Sequence, residues 1–297
     1  MKLHQSILEY RKGRYGWWAL LLIVGAVVLF GSHGDFQPPN GGTWQGYVLG
    51  SVGLALIVWL TALGIVKRRY GKSNVQAWTS AHVYLGASLL IVVSLHSALQ
   101  IGLNVHSLAY VLMCVVIFSG FVGLYFYRRY PHLMARNRRN QSQRQLFSEL
   151  NDLNQKGRAL AKRCHPNLAS AVDTAIDRTA IGGGFLDQLL GRDGSTVVLI
   201  EEDKKGGIQR KPVSNRDQQA IIDYVAKCIP RARKQGEAAN IQSLLEVVCR
   251  RQTVTRQLRQ DIKFNARLKV WLWVHVPFTI ALLAALAIHI LSVFYYW

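Results

Sequence analysis

Four histidines lie in long uncharged stretches of the chain. His82 and His96 bound the stretch HVYLGASLLIVVSLH, and His275 and His289 bound HVPFTIALLAALAIH, so the spacing is fourteen residues in both cases. On an α-helix fourteen residues rise about 21 Å and stop roughly 40° short of four full turns. Both members of each pair therefore face nearly the same way, at two levels along the helix. Imidazole is a common metal ligand, so this spacing indicates two stacked metal sites.

Three kinds of chemistry are open to such histidines. A histidine in an apolar helix can bond to a neighbouring helix or belong to a polar pathway. Zinc or copper would need three or four ligands at one level, whereas these residues form two levels. Haem iron needs only two axial ligands from the protein, which favours haem. If the two helices face each other, His82 pairs with His275 and His96 pairs with His289.

The elements that must position these histidines are membrane-spanning helices. About 20 apolar residues cross a bilayer core. The sequence predicts five spans, at residues 16–32, 46–66, 79–101, 107–127 and 270–295. The first is short and has a secretory signal as its alternative, but no small-residue cleavage site precedes Gly31, which favours an uncleaved anchor.

The charge of the chain is segregated in the same pattern. The net charge is +20, and all 36 Lys and Arg residues lie outside the spans, as does every Asp and Glu. This arrangement argues against a nucleic-acid partner and against a carboxylate proton relay within the membrane. The positive-inside rule predicts a multi-pass protein of a bacterial-type cytoplasmic (inner) membrane, with the N-terminus inside and the C-terminus outside.

Over residues 46–127 and 268–297 the sequence resembles b-type membrane cytochromes, namely the cytochrome b of quinol oxidoreductases and the transmembrane domain of ferric reductases. The resemblance implies two haem b groups stacked across the bilayer, each held by two of the four histidines. It also implies glycines fourteen apart where haem edges approach the preceding helix, and Gly50 and Gly64 have that spacing. Ordinary small-residue helix packing is the alternative explanation for these glycines.

The resulting fold prediction is an all-α membrane helical bundle with an inserted domain. Residues 1–130 would form transmembrane helices 1–4, and residues 270–297 would form helix 5. Four of the five helices would form a haem-binding bundle. Residues 131–269 would be a basic cytoplasmic α+β insertion with a helical stalk.

The insertion itself contains recognisable elements. Leucine stripes beginning at Leu146 and at Ile241 predict two antiparallel stalk helices. Residues 195–213 predict a β-hairpin, with helices at 167–179 and 214–228 beside it. The glycine-rich residues 181–194 lack a preceding strand and any phosphate-binding motif, so they are interpreted as a flexible linker.

The remaining histidines and the four cysteines carry weaker signals. No cysteine lies in a Cys-x-x-Cys arrangement, which argues against a disulfide framework and covalent haem attachment. His106 begins the fourth span and is open to either interpretation, a contact to the haem or a quinone on that side, or an exposed side chain. His4, His33, His132 and His165 are expected at the surface.

The functional expectation is transmembrane electron transfer through two bis-histidine b haems. Electrons would pass between a quinone pool or an external redox partner and a partner subunit. No flavin or nicotinamide motif is present, so the chain is expected to be an electron-transfer subunit of an oxidoreductase complex. The alternative is a non-redox membrane scaffold or sensor whose basic cytoplasmic domain binds a partner protein.

Overall fold

The computed structural model describes most of the chain. Backbone and side chains are described for residues 10, 12–34, 39–63, 76–139, 141–200, 209–230 and 236–295, and the backbone alone for residues 72–75, 201, 202, 208, 231 and 235. Over these residues the protein is mostly helical, with one small sheet.

Nine α-helices and two strands are described, with two short 3₁₀ turns at Arg216–Gln218 and Ile229–Arg231. The elements are α1 Arg14–Gly31, α2 Trp44–Thr61, α3 Lys72–His96, α4 Val105–Arg138, α5 Gln143–Ala161, α6 Pro166–Asp177, α7 Phe185–Leu190, β1 Thr196–Glu202, β2 Ile208–Ser214, α8 Gln219–Cys228 and α9 Gln235–Tyr295.

Five helices among the described residues are long and apolar enough to cross a membrane. They lie in α1, α2, α3, α4 and α9, one for each predicted span, so the prediction of five such helices is confirmed. Two of them extend well beyond the apolar run. Helix α4 continues through Pro131 to Arg138, and α9 begins 35 residues before residue 270.

The chain divides into two compact units. The first, called the apolar unit, comprises Met1–Tyr125 and Trp271–Trp297. Helices α2, α3, α4 and α9 share one buried cluster, formed by Ile57, Leu60, Leu89, Met113 and Leu282. Helix α1 packs against α2 and α3 through a separate cluster of Ala26, Leu49 and Val92. Four helices therefore form a bundle and α1 lies against one side of it.

The second unit, Phe126–Val270, is called the basic unit. Helices α5 and α9 contain the two predicted leucine stripes and share the buried cluster Leu146, Leu150, Val254 and Leu258. They are antiparallel, because Glu149 pairs with Arg250 and the later Gly157 faces the earlier Val247. The serine at the start of α5 forms a capping box: the Ser142 side chain accepts from the backbone N–H of residue 145, whose own side chain accepts from the Ser142 N–H. Two of the four unpaired N–H groups at this helix end are thereby satisfied.

The predicted β-hairpin is also confirmed. Strands β1 and β2 are antiparallel, with Thr196 opposite Ser214 and Glu202 opposite Ile208. The expected turn at residues 203–207 lies outside the described residues. Val197 is completely buried against α6, α8 and α9, which explains how a two-stranded sheet persists.

Residues 181–194, interpreted as a flexible linker, contain one short helix. Residues Phe185–Leu190 form the short helix α7, which ends at Gly191 in the left-handed conformation with φ of 70°. Gly182 and Gly183 also have positive φ. Gly182 and Gly183 therefore allow a tight turn before α7, and Gly191 is its C-cap, since non-glycine residues seldom adopt this conformation.

Several arginines of the basic unit lie in its interior instead of on its surface. Arg259 forms an ion pair of 2.6 Å with Asp193, whose side chain is 7% exposed. Arg251 is 3% exposed and donates to the side-chain oxygens of Asn154, Gln218 and Thr179. Burial, assisted by the charges of Arg259 and Arg158, lowers the pKa of Arg251 to about 10, so it stays cationic at neutral pH.

Candidate functional site

The first histidine pair, His82 and His275, lies in the apolar unit on helices α3 and α9. The Nδ1 of His82 is 3.1 Å from the carbonyl oxygen of Leu60 on α2. The Nδ1 of His275 is 2.8 Å from the Ser119 hydroxyl on α4. Each ring is thus held by a neighbouring helix of the bundle.

These contacts fix the protonation pattern of both rings. A carbonyl oxygen can only accept, so the neutral His82 ring must carry its proton on Nδ1. The Ser119 hydroxyl donates its single proton to the Val116 carbonyl at 2.8 Å, so it accepts from His275 Nδ1–H. In both neutral rings the lone pair is therefore on Nε2, the nitrogen that a metal would take.

The second pair is His96 and His289. The Nδ1 of His96 is 2.8 Å from the Gly46 carbonyl oxygen, so this ring also carries its proton on Nδ1 and its lone pair on Nε2. The centroids of the His96 and His289 rings are 6.2 Å apart, and the ring planes are nearly perpendicular at 81°.

The separation of the His96 and His289 rings can be compared with the separation of two imidazoles that bind one metal ion. With metal–imidazole bonds of about 2.0 Å, two imidazoles on opposite sides of one ion have ring centroids roughly 6 Å apart. The second pair already has that separation. The donor set of each pair, two neutral imidazoles, is also the set that a bis-histidine haem requires. The second pair therefore fits a haem in separation and in donor type, and the first pair offers the same donor type.

A third histidine contacts the second pair. The Nδ1 of His106, in the first turn of α4, lies 2.5 Å from the Nδ1 of His289. The ring centroids are 4.5 Å apart with nearly perpendicular planes. Because each Nδ1 can carry one proton, a hydrogen bond here requires one protonated and one unprotonated nitrogen. The sequence did not decide the role of His106, and the structure places its ring beside His289, a candidate ligand.

A glycine allows close approach at the second pair. A Cβ on Gly50 would come within 2.7 Å of the His96 ring, whereas one on Gly120 would make an ordinary contact, 3.8 Å from the His275 ring. The resemblance implied that Gly50 would border a haem edge, and the structure places it directly against a candidate ligand. Gly64, its predicted partner, lies outside the described residues.

Gly123 on α4 makes room for a tryptophan. A Cβ there would come within 2.0 Å of the Trp271 ring, whose Nε1–H donates to the Ser119 carbonyl oxygen at 2.7 Å. The Trp271 and His275 rings are 5.4 Å apart. Ser119 therefore binds two side chains of α9, one through its hydroxyl and one through its carbonyl.

Two residues near the pairs were not anticipated as contacts. Ser119 carries no spacing signal, because serine is common in membrane helices and bonds its own backbone there. The His106 to His289 contact joins residues 183 positions apart, and no periodicity relates them. By contrast, His165 is accounted for locally, since its Nδ1 accepts from the Asn167 N–H at the start of α6.

Among the described residues, no group of three or more His, Cys, Asp or Glu side chains is arranged to hold a metal ion. His96 and His289 instead lie together as a pair, with His106 beside His289. A porphyrin supplies four nitrogens of its own, so a pair is the protein contribution that such a cofactor needs.

No family model, curated protein or solved structure matches this chain.

Proposed function

We propose that the chain is a di-haem b-type membrane cytochrome that transfers electrons across a membrane. The observation that carries the proposal is the 6.2 Å separation of the His96 and His289 rings, each contributed by a different helix. His82 and His275 would hold one haem, and His96 and His289 the other. When bound, haem iron supplies reversible one-electron chemistry.

The chain's own residues would tune and protect that chemistry. The two histidines of each pair would be the protein ligands of the iron, and a haem held by two histidines would supply electron transfer instead of oxygen or substrate binding. Hydrogen bonds at Nδ1 orient a ligating ring and raise its basicity, and Leu60, Gly46 and Ser119 provide acceptors for this purpose. The buried cluster between the pairs, which includes Leu89 and Met113, would keep water away from the path.

The membrane setting and the partners are part of the same proposal. The five apolar helices would cross a bacterial-type inner membrane, with the basic unit in the cytoplasm. Residues 128–267 contain 27 basic and 14 acidic residues. Such an excess suits the docking of an acidic redox protein subunit, or the headgroups of anionic lipids. A quinone is a further candidate ligand, as donor or acceptor.

A reduced-minus-oxidised optical spectrum of the purified full chain tests the proposal. We expect an α band typical of b haem, with two haems per chain by pyridine haemochrome assay. A flat difference spectrum after expression with adequate haem supply would contradict it. The assignment of pairs is tested by His82→Ala and His96→Ala, each of which should lose one haem. Retention of two haems in either variant would refute the assignment.

The alternative, a non-redox scaffold or sensor, has one observation in its favour. His82 and His96 bond to carbonyls of α2, and His275 bonds to a hydroxyl of α4, so each connects two helices. Polar bonds between helices stabilise membrane bundles without any cofactor. The same spectrum separates the two functions, since a scaffold would give no α band.

A further inference from the structure

We infer that His106 is a positioning residue for His289, accepting the Nδ1 proton of that ring so that Nε2 is left for the iron. The inference rests on the proposed function and extends it to a residue outside the four ligands. It is carried by the 2.5 Å contact between the two Nδ1 atoms and by the tautomers of the other three rings.

The contact allows two arrangements of one proton. If His106 donated, His289 would carry its proton on Nε2 and would have no lone pair there to offer a metal. If His289 donates, its Nε2 has the lone pair, as His82, His96 and His275 do. Only the second arrangement gives the second pair two equivalent ligands, so His106 Nδ1 is the acceptor.

His106 therefore has the place at the second pair that Ser119 has at the first. Both residues lie on α4 and both bond to a histidine of α9. Their chemistry differs, however, because an unprotonated imidazole nitrogen is a stronger base than a hydroxyl oxygen. A stronger acceptor makes the ligating ring more electron-donating and favours the oxidised iron. His106 should thus lower the potential of the haem at the second pair.

The test compares two variants of the full-length haem-loaded protein. His106→Leu removes the acceptor, whereas His106→Asn keeps an oxygen acceptor at about the same position. For His106→Leu we expect a higher midpoint potential and a changed low-spin EPR signal for one haem only. That haem should also bind about 10- to 100-fold more weakly. His106→Asn, whose amide oxygen is a weaker acceptor than an imidazole nitrogen, should give a potential between those of wild type and His106→Leu. His106→Ala serves the same purpose if the leucine variant is not recovered.

Ser119→Ala is the matched control at the other level. It should alter the haem of the first pair and leave the second unchanged, and a His82→Ala background assigns the signals. Wild-type protein with two haems, together with unchanged potentials and EPR signals in His106→Leu and His106→Ala, would overturn the inference. An equal shift of both haems would also overturn it. Wild-type protein without an α band would instead refute the proposed function.

Discussion

Replacement of Gly50 by alanine is the most direct test of how the second pair is built. A Cβ at this position would lie 2.7 Å from Cε1 of His96, 3.0 Å from Nδ1 and 3.3 Å from Nε2. Ordinary contact begins at 3.4 Å, so the ring must retreat by roughly 0.7 Å. The same ring is held by its 2.8 Å hydrogen bond to the Gly46 carbonyl. The ring therefore cannot move away without loosening that bond.

The energies involved decide the sign of the effect. Overpacking of this kind costs about 1–3 kcal/mol, and weakening the hydrogen bond costs about 0.5–1.5 kcal/mol. Alanine in a helix interior returns about 0.8–1.0 kcal/mol relative to glycine. The net expectation is a destabilisation of about 0.5–4 kcal/mol. Displacement of a ligating ring should also weaken binding of the haem at the second pair by at least about tenfold.

Gly120→Ala is the matched control, because its Cβ would lie 3.8 Å from the His275 ring, an ordinary contact. Haem content per chain and thermal stability in detergent are measured for both variants. Gly50→Ala should lose or weaken one haem, whereas Gly120→Ala should keep both and be as stable as wild type or slightly more so. Two tightly bound haems and an unchanged spectrum in Gly50→Ala would refute the close-packing explanation.

Two further predictions concern the basic unit, and hydrogen exchange of the full chain measures both. Burial would raise the pKa of the Asp193 carboxyl, but hydrogen bonds from backbone N–H groups and the Ser195 hydroxyl, with the charge of Arg259, lower it overall. The stabilisation is therefore present above the ordinary carboxyl pKa of about 3.9 and is lost as pH falls through the lower folded value. Asp193→Asn should cost about 3–5 kcal/mol of unfolding free energy at neutral pH and remove this acid dependence. The control Asp177→Asn removes a carboxylate from an exposed ion pair and should cost at most about 1 kcal/mol. Equal protection from hydrogen exchange in the two variants would contradict this prediction. Leu258→Ala, at a completely buried position, should cost about 2–5 kcal/mol of unfolding free energy. The control is Phe147→Ala, at an exposed position of α5. If hydrogen exchange in α5 is no faster in Leu258→Ala than in this control, the prediction is contradicted.

The helices of the apolar unit were predictable because a membrane span needs a long run of apolar residues. Their ends were less predictable. The run that ends near residue 127 gave no sign that α4 continues to Arg138, since the continuation is stabilised by distant partners. Asn137 and Gln257 exchange side-chain to backbone hydrogen bonds, and Arg138 forms a bidentate pair with Asp261.

The interior of the basic unit shows a second limit of sequence interpretation. Arg251 and Arg259 look like surface residues, because a charged side chain is rarely buried. Their partners come from α5, from residues near 180 and 193, and from the turn before α8. No local pattern predicts a network assembled from four separate segments. The proximity of His96 and His289 was more predictable, because fourteen-residue spacing on two helices is a local property.

The chemistry of the histidine pairs bears on the choice between electron transfer and a scaffold. A hydrogen bond between membrane helices contributes only about 0.6 kcal/mol on average. A histidine used in this way still has a second ring nitrogen, whereas serine or threonine would connect the helices without one. The proposed function accounts for four histidines at two levels, three of them with the lone pair on Nε2, because a haem at each level would take those lone pairs. The 6.2 Å separation of the second pair is what one shared metal would require.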